Sequence, residues 1–216
     1  MMTNSRRRLG RLLVLLVLAG GPAHAARDLS FESAHDVNEG VLHFLERKPE
    51  RAVHHHQNRI RIDADSLDSG WVELAQCHDN LDAVPRAEIT FRAGYVRNLQ
   101  VVSATRIERA WAEDASVQLV NVAPGARLCL SAQTRALRQA GNGYYNLSNG
   151  PYMRKFLDGY YPMQVTLDIR YPASLRLLDI DPPAQPGLQV DTQAGAIRID
   201  ALFEGELKTL IQFERR

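Results

Sequence analysis

The sequence predicts an all-β protein with an antiparallel β-sandwich-like architecture, built from two packed β modules with one short helix in the loop that connects them. From Arg59 onward, apolar and polar residues alternate almost everywhere, in about a dozen short runs, which is the period of strands with one buried face. Turn residues, chiefly Pro and Gly, separate the runs. Short strands with such turn signals between them are typical of sandwiches and barrels.

Five segments are predicted along the chain. The second β module (163–216) is short enough to need the first β module as a packing partner. The segments are a signal peptide (1–25), an N-terminal segment (26–52), a first β module (53–139), a Tyr-, Asn- and Gly-rich connecting loop with the short helix (140–162), and a second β module (163–216).

The N-terminus has the pattern of a Sec-type signal peptide. A cluster of arginines precedes the apolar run Leu12–Ala19, and Ala23-His24-Ala25 matches a small-x-small cleavage site. The apolar run is shorter than the roughly 20 residues that span a bilayer. We therefore expect a periplasmic or secreted mature chain that starts at Ala26 and has no transmembrane segment; an uncleaved anchor is the alternative.

Charge argues against two classes of partner. Residues 1–25 contain four of the 26 basic and none of the 25 acidic side chains, which leaves 22 against 25 and a net charge of about −3. Proteins that bind nucleic acid or anionic lipid through charge have a basic excess. We expect no nucleic-acid partner, and instead a protein or a small polar ligand of the cell envelope.

The two cysteines, Cys77 and Cys129, predict a disulfide. An even number in an oxidising compartment favours a bond, and no CxxC spacing indicates redox chemistry. Closing so long a loop is worth ~4 kcal/mol on the chain-entropy model. We expect the bond to lie between two sheets; a reactive thiol or a soft metal ligand is the alternative.

The sequence is compatible with either a helix or a strand for one element of the N-terminal segment. Asp36 and Glu39 have the spacing of a helix capping box. Gly40 argues against a helix, and Val41–Leu45 suits a short edge strand equally well. Lys48 precedes a proline, so the element ends there.

A hairpin organises the first β module. Its arms, His54–Asp63 and Trp71–His78, flank a polar loop. One register matches apolar with apolar and positive with negative side chains, which antiparallel pairing rewards. The predicted cross-strand pairs are Ile60 with Leu74, Arg61 with Glu73, and His56 with His78.

Two more hairpins are predicted in the first module. In the hairpin that joins Val117–Val122 to Arg127–Ser131, Pro and Gly occupy positions that suit a type II turn. The predicted pairs are Ala87–Arg92 with Tyr95–Val102 across Ala93-Gly94, and Val117–Val122 with Arg127–Ser131 across Pro124-Gly125.

The connecting loop and the second module follow. Pro151 and Gly159 predict a two-turn helix over Tyr152–Asp158, after which the alternation returns. The predicted strands of the second module are Val165–Ile169, Leu175–Ile180, Leu188–Asp191, Ile197–Phe203 and Leu207–Phe213.

Three histidines are candidate metal ligands. His54 and His56 share one face of a strand, and the predicted register places His78 opposite His56. Exported proteins use such groups for zinc or copper, so a zinc or copper site is one hypothesis. The alternative is that these histidines are hydrogen-bonded or solvated polar residues at the end of a sheet. The absence of an HExxH motif or comparable ligand spacing favours this alternative.

The connecting loop is the other candidate site. Tyrosine rings supply rigid amphipathic contact area and asparagines supply adaptable hydrogen bonds, although such rings also serve to pack the end of a sandwich. The candidate ligand- or partner-binding residues are Tyr144, Tyr145, Asn149, Tyr152, Tyr160 and Tyr161.

Motifs for catalysis are missing from the sequence. It has no Gly-x-Ser-x-Gly, no Gly-rich phosphate loop and no evident carboxylate pair. We therefore expect a non-catalytic binding or assembly protein of the cell envelope, not an enzyme. A periplasmic metal-binding protein is the second hypothesis, and a hydrolase of unrecognised type is the third.

Overall fold

A computed structural model describes residues 38–216, so the predicted signal peptide and Asp36 lie outside the described residues. Within this range the chain is nearly all β, which confirms the predicted fold class. The strands are β1 (His43–Phe44), β2 (His54–Arg61), β3 (Val72–Leu81), β4 (Val84–Thr90), β5 (Val96–Glu113), β6 (Ser116–Thr134), β7 (Leu137–Gly141), β8 (Tyr144–Tyr152), β9 (Lys155–Phe156), β10 (Gly159–Tyr160), β11 (Met163–Arg170), β12 (Leu175–Asp181), β13 (Leu188–Gln193), β14 (Ala196–Glu204) and β15 (Leu207–Arg215).

Two sheets form the sandwich. The nine-stranded sheet has the order β1-β14-β11-β2-β3-β6-β4, with β13 also paired to β14 and β5 also paired to β6. The four-stranded sheet has the order β12-β15-β8-β7, and β9 and β10 form a small hairpin of their own. Alternate side chains of the two sheets meet in one core that includes Leu147, Leu167, Phe203 and Phe213, as in other β-sandwiches.

The large sheet contains strands from both sides of the connecting segment. Strand β11 follows that segment and pairs in parallel with β2, so that Ile169 aligns with Ile60. The long chain between them permits such a crossover. The boundaries of the two sheets therefore differ from those of the two predicted modules. All five strands predicted after the connecting segment are present, as β11 to β15, and the Val41–Leu45 element contains the edge strand β1.

The hairpin of β2 and β3 has the predicted register, with His56 opposite His78, Ile60 opposite Leu74, and Arg61 opposite Glu73. Its polar loop is the one helix among residues 38–216, α1 (Ala64–Ser69). Asp63 accepts from the Ser66 backbone N–H and the Ser66 hydroxyl accepts from the Asp63 N–H, a reciprocal cap. Gly70 ends the helix at φ 77°.

The predicted hairpin of Ala87–Arg92 with Tyr95–Val102 is wrong. Strand β4 and strand β5 do not pair with each other; they flank opposite edges of β6. Strands β3 and β4 occupy one edge of β6 end to end, and β5 follows the whole of the other edge. This arrangement buries apolar side chains of β6 in a second core around Leu119 and Leu128, against which partly buried apolar side chains of β4 and β5 pack.

The predicted turn at Pro124-Gly125 is also wrong, because β6 continues through it. The turn residues form a bulge instead: Gly125 has φ 70° and Arg106 on β5 has φ 60°, where the register shifts. The guanidinium of Arg106 donates to the Pro124 carbonyl at 2.9 Å. A partner strand on each side holds the chain extended, and the extra residues bend it.

Strand β6 coils tightly. The Phe91 N–H donates to the Ala115 carbonyl at one end of β6, and the Arg135 N–H donates to the Tyr95 carbonyl at the other. Five residues span at most about 17 Å, whereas a straight strand of 19 residues would be about 60 Å long. The two ends of β6 therefore come close together, and Phe91 contacts both cores.

The predicted helix over Tyr152–Asp158 is absent, and the segment is β instead. Strand β8 extends to Tyr152, and β9 and β10 form a tight hairpin after it. Strand β8 lies between β7 and β15 and buries Tyr145 and Leu147 in the main core. That pairing outweighs the helix signals of Pro151 and Gly159.

Cys77 and Cys129 form a disulfide, as predicted. They lie directly opposite each other on β3 and β6, with Cα atoms 4.1 Å apart. The bond therefore links neighbouring strands of one sheet and not two sheets, because the register of β3 against β6 aligns the two residues.

Candidate functional site

The inward face of the β2–β3 hairpin changes character along its length. At one end Ile60 faces Leu74 in the main core. Further along, polar residues occupy the same inward positions. These residues, which we call the polar wall, are His54, His56, Asn58, Gln76 and His78.

The polar wall lines a cavity of about 810 Å³, which we call the histidine cavity. The other sides come from the end of β8 and from the chain between β4 and β5, which the coiling of β6 brings over the hairpin. Tyr152, Met163 and Phe91 lie on these sides, and exposed residues such as Thr90 and Ser148 form the mouth.

Two of the histidines bond to each other. His54 Nε2 lies 2.9 Å from His78 Nδ1, and their rings stack with centroids 5.2 Å apart. One of these nitrogens must carry the proton and the other the lone pair. His56 packs edge-on against His78 at 4.4 Å and against Tyr152 at 4.9 Å.

His56 instead bonds to two amides. Its Nε2 lies 2.9 Å from Asn58 Oδ1 and 2.7 Å from Gln76 Nε2, and Asn58 Nδ2 donates to the Tyr152 hydroxyl at 2.9 Å. A single ring nitrogen either donates or accepts. It therefore satisfies one of its two amide neighbours at a time.

Two buried polar atoms of the wall have no hydrogen-bond partner among the described residues: Gln76 Oε1 and His78 Nε2. Their side chains are deeply buried, at 4% and 2% exposure. Leaving a buried polar atom without a partner costs ~1–3 kcal/mol. The wall therefore has unused capacity to bind a polar group in the cavity.

The wall is uncharged at neutral pH. Burial lowers the pKa of His54 to about 4 and that of His56 to about 3. Burial, followed by the neighbouring His56 and His54, holds the pKa of His78 well below its usual value. The cavity thus presents neutral imidazoles and amides.

The three histidines predicted as candidate metal ligands come together in one cluster. The nitrogens of His54 and His78 face each other, whereas His56 directs its Nε2 at the amides. Among residues 38–216, no group of three His, Cys, Asp or Glu side chains is arranged to hold a metal ion. The sequence predicted the proximity, which follows from the register, but not the ring orientations.

The Tyr-rich segment does not form one surface. Tyr145 is in the main core at 2% exposure, so no ligand can reach it, whereas Tyr144 is 44% exposed. The Tyr160 hydroxyl donates to Glu206 and that of Tyr161 to Asp158. Tyr152 and Asn149 line the histidine cavity, so the two predicted sites meet there.

Several wall and cavity residues were missed from the sequence. Asn58 and Gln76 stand at inward positions of the predicted register, opposite each other. Polar residues at positions that a core would fill with apolar ones were the available signal. No sequence signal indicated Phe91 or Arg92, because their position depends on the coiling of β6.

No protein-family description and no curated protein matches this sequence. Among solved structures, an M1 zinc metallopeptidase from Deinococcus radiodurans is similar with a TM-score of 0.41 and 14% identity over 82% of this chain and 43% of that chain. A variant of an M1 zinc metallopeptidase from the same organism, bound to a Tyr-Ser-Ala substrate, has a TM-score of 0.43 and 12% identity over 74% of this chain and 41% of that one. This chain thus spans less than half the length of these proteins.

Within the described part of the chain, no helix is both long enough and apolar enough to cross a membrane.

Proposed function

We propose that this chain is an exported, periplasmic, non-catalytic binding protein of the cell envelope that takes a small polar ligand into the histidine cavity. The observation that carries the proposal is the pair of buried atoms without partners, Gln76 Oε1 and His78 Nε2, in a cavity wall. A ligand that hydrogen-bonds to both would recover the cost of their burial.

The proposed location rests on two features. The N-terminal 25 residues have the pattern of a secretory signal. The disulfide of Cys77 and Cys129 is of a kind that persists in oxidising compartments such as the periplasm.

The proposal of a non-catalytic role rests on the partners of the histidines. In the polar wall they bond to each other and to amides. On the other face of β2, His55 Nε2 lies 2.8 Å from the Thr166 hydroxyl, but that hydroxyl donates to Asp200. His55 must therefore donate to Thr166, which is the reverse of a base that activates a nucleophile.

The test is a fluorescence titration with N-phenyl-1-naphthylamine, a neutral aromatic amine whose N–H can donate to Gln76 Oε1. We expect saturable binding of one probe per chain. Ser148 is exposed and lines the mouth of the cavity, so the indole of S148W should block entry and abolish binding. S103W, on an exposed serine of β5 outside the cavity lining, is the matched control and should bind normally.

Absence of saturable binding by the unchanged protein would contradict the proposal. So would equal binding by S148W and S103W, because the probe would then occupy some other surface.

A further inference from the structure

The mouth of the histidine cavity carries three arginines, Arg92, Arg135 and Arg138, which we call the arginine rim. All three are exposed and line the cavity. Tyr95 holds them together: the guanidinium carbons of Arg92 and Arg138 lie 4.0 and 5.9 Å from its ring centroid. The backbone N–H of Arg135 donates to the Tyr95 carbonyl at 2.9 Å.

No carboxylate among residues 38–216 lies within ion-pairing distance of the arginine rim, although Asp68 lines a neighbouring pocket with Arg135 and Arg138. None of the ion pairs among residues 38–216 involves Arg92, Arg135 or Arg138. The one carboxylate that lines the cavity there, Glu88, is exposed and accepts from Gln118 Nε2 at 2.8 Å. The rim is therefore positive, against the net negative charge expected of the exported chain.

Two guanidinium groups beside one tyrosine ring repel each other, although each gains from the π face. A bound anion would remove this repulsion. Guanidinium groups also bind carboxylate, sulfonate and phosphate oxygens with short, charge-assisted hydrogen bonds. The rim thus has the charge and the donors of an anion site.

The interior of the cavity differs from its mouth. Apolar side chains such as Phe91 and Met163 line part of it, and the neutral polar wall with the deeply buried Gln76 and His78 forms what we call its floor. An ionised group would be costly at the floor, because nothing there carries the opposite charge. A single ligand would therefore place its charge at the rim and its neutral polar group at the floor.

We propose that the ligand of the histidine cavity is an amphipathic organic anion, held by its anionic group at the arginine rim and by a neutral hydrogen-bonding group at Gln76 and His78. This inference rests on the proposed function, since it names the class of ligand for that same cavity.

The experiment compares two probes with the same aromatic frame. One is N-phenyl-1-naphthylamine, which is neutral, and the other is 1-anilinonaphthalene-8-sulfonate, which adds a sulfonate. Each is titrated into the unchanged protein and into R92Q/R135Q/R138Q. The control is R59Q/R109Q/R170Q, which removes the same charge from exposed arginines outside the cavity lining.

We expect the sulfonate probe to bind the unchanged protein more tightly than the neutral one, and to lose at least about tenfold in affinity in the rim variant, the lower end for hydrogen bonds to charged groups. The neutral probe should keep its affinity in that variant. Added inorganic phosphate should compete with the sulfonate probe alone.

Three results would overturn the inference while leaving the proposed function in place: equal affinity for both probes, equal losses of both in the rim variant, or an equal loss of the sulfonate probe in the control variant. Failure of the neutral probe to bind the unchanged protein saturably would instead count against the proposed function itself.

Discussion

The two halves of the β2–β3 hairpin face are equally buried and chemically opposite. Ile60 and Leu74 are 3% and 7% exposed, and their neighbours on the same face, His56 and His78, are 9% and 2% exposed. The apolar half packs against the four-stranded sheet. The polar half faces a cavity and leaves two polar atoms without partners.

Burial therefore has a different effect on the stability of the fold in each half of the hairpin face. Burying an apolar side chain such as Leu74 stabilises the fold by about 1.5–3 kcal/mol. Burying imidazoles and amides, even when they are hydrogen-bonded, stabilises it far less, and each unpartnered atom costs stability. The polar half therefore contributes less to folding than the apolar half does, which supports the proposed binding role.

The largest expected effect is on the pH dependence of folding stability, because only the polar half of the hairpin face contains histidines. Its three histidines titrate near 6.5 in an unfolded chain, whereas the folded pKa values of His54 and His56 are about 4 and about 3. The unfolded chain thus binds more protons below pH 6.5. The free energy of unfolding is highest above pH 7 and falls as the pH drops through 6 towards 4. We expect it to fall by about 5 kcal/mol between pH 7 and 5.

Urea unfolding across this range measures the effect. H78L should flatten the curve by about a third, since one of three histidines is gone, and L74A should lower the whole curve without changing its slope. A wild-type slope no steeper than that of H78L would show that His78 is not buried neutral.

The disulfide provides the second comparison, because Cys77 lies between Gln76 and His78. The apolar half is held by the main core, and the polar half is held to β6 by the bond. Replacing both cysteines with alanine should cost ~4 kcal/mol. Hydrogen exchange should then speed up more at His78 than at Leu74; equal acceleration would mean that the bond supports both halves alike.

Matched truncations give the smallest effect. L74A should lower the free energy of unfolding by ~3 kcal/mol, as large-to-small core changes do. Q76A should lower it by less than ~1 kcal/mol, because Gln76 Oε1 has no partner and His56 Nε2, which loses the Gln76 amide, keeps its bond to Asn58. Urea unfolding of the two variants measures both losses. Similar losses in L74A and Q76A would contradict the claim that the apolar half stabilises the fold more than the polar half does.

The sequence predicted this hairpin well because its information is local. Alternation and charge pairing determined the register of β2 and β3, and the register placed His56 beside His78. The helix α1 was missed, although Asp63, Ser66 and Gly70 carry its caps; its length of six residues gives no apolar periodicity to detect.

Long-range pairing could not be predicted in the same way. Pro124 and Gly125 look like a turn until a partner strand on each edge holds β6 extended. The histidine cavity depends on that strand, since its coiling brings Phe91 and Arg92 over the polar wall. The sequence therefore predicted the three histidines of the wall, but not its two amides, the cavity or the rim.

The most direct test of the account is nuclear magnetic resonance of the protein with ¹⁵N-labelled histidines, before and after addition of N-phenyl-1-naphthylamine. His55 is the internal control, because it lies between His54 and His56 in sequence but bonds to Thr166 on the other face. We expect the ring nitrogens of His54, His56 and His78 to shift, with the largest change at His78 Nε2, while those of His55 stay in place. Unchanged wall histidines, or an equal shift of His55, would contradict the claim that the polar half of the hairpin is a binding site.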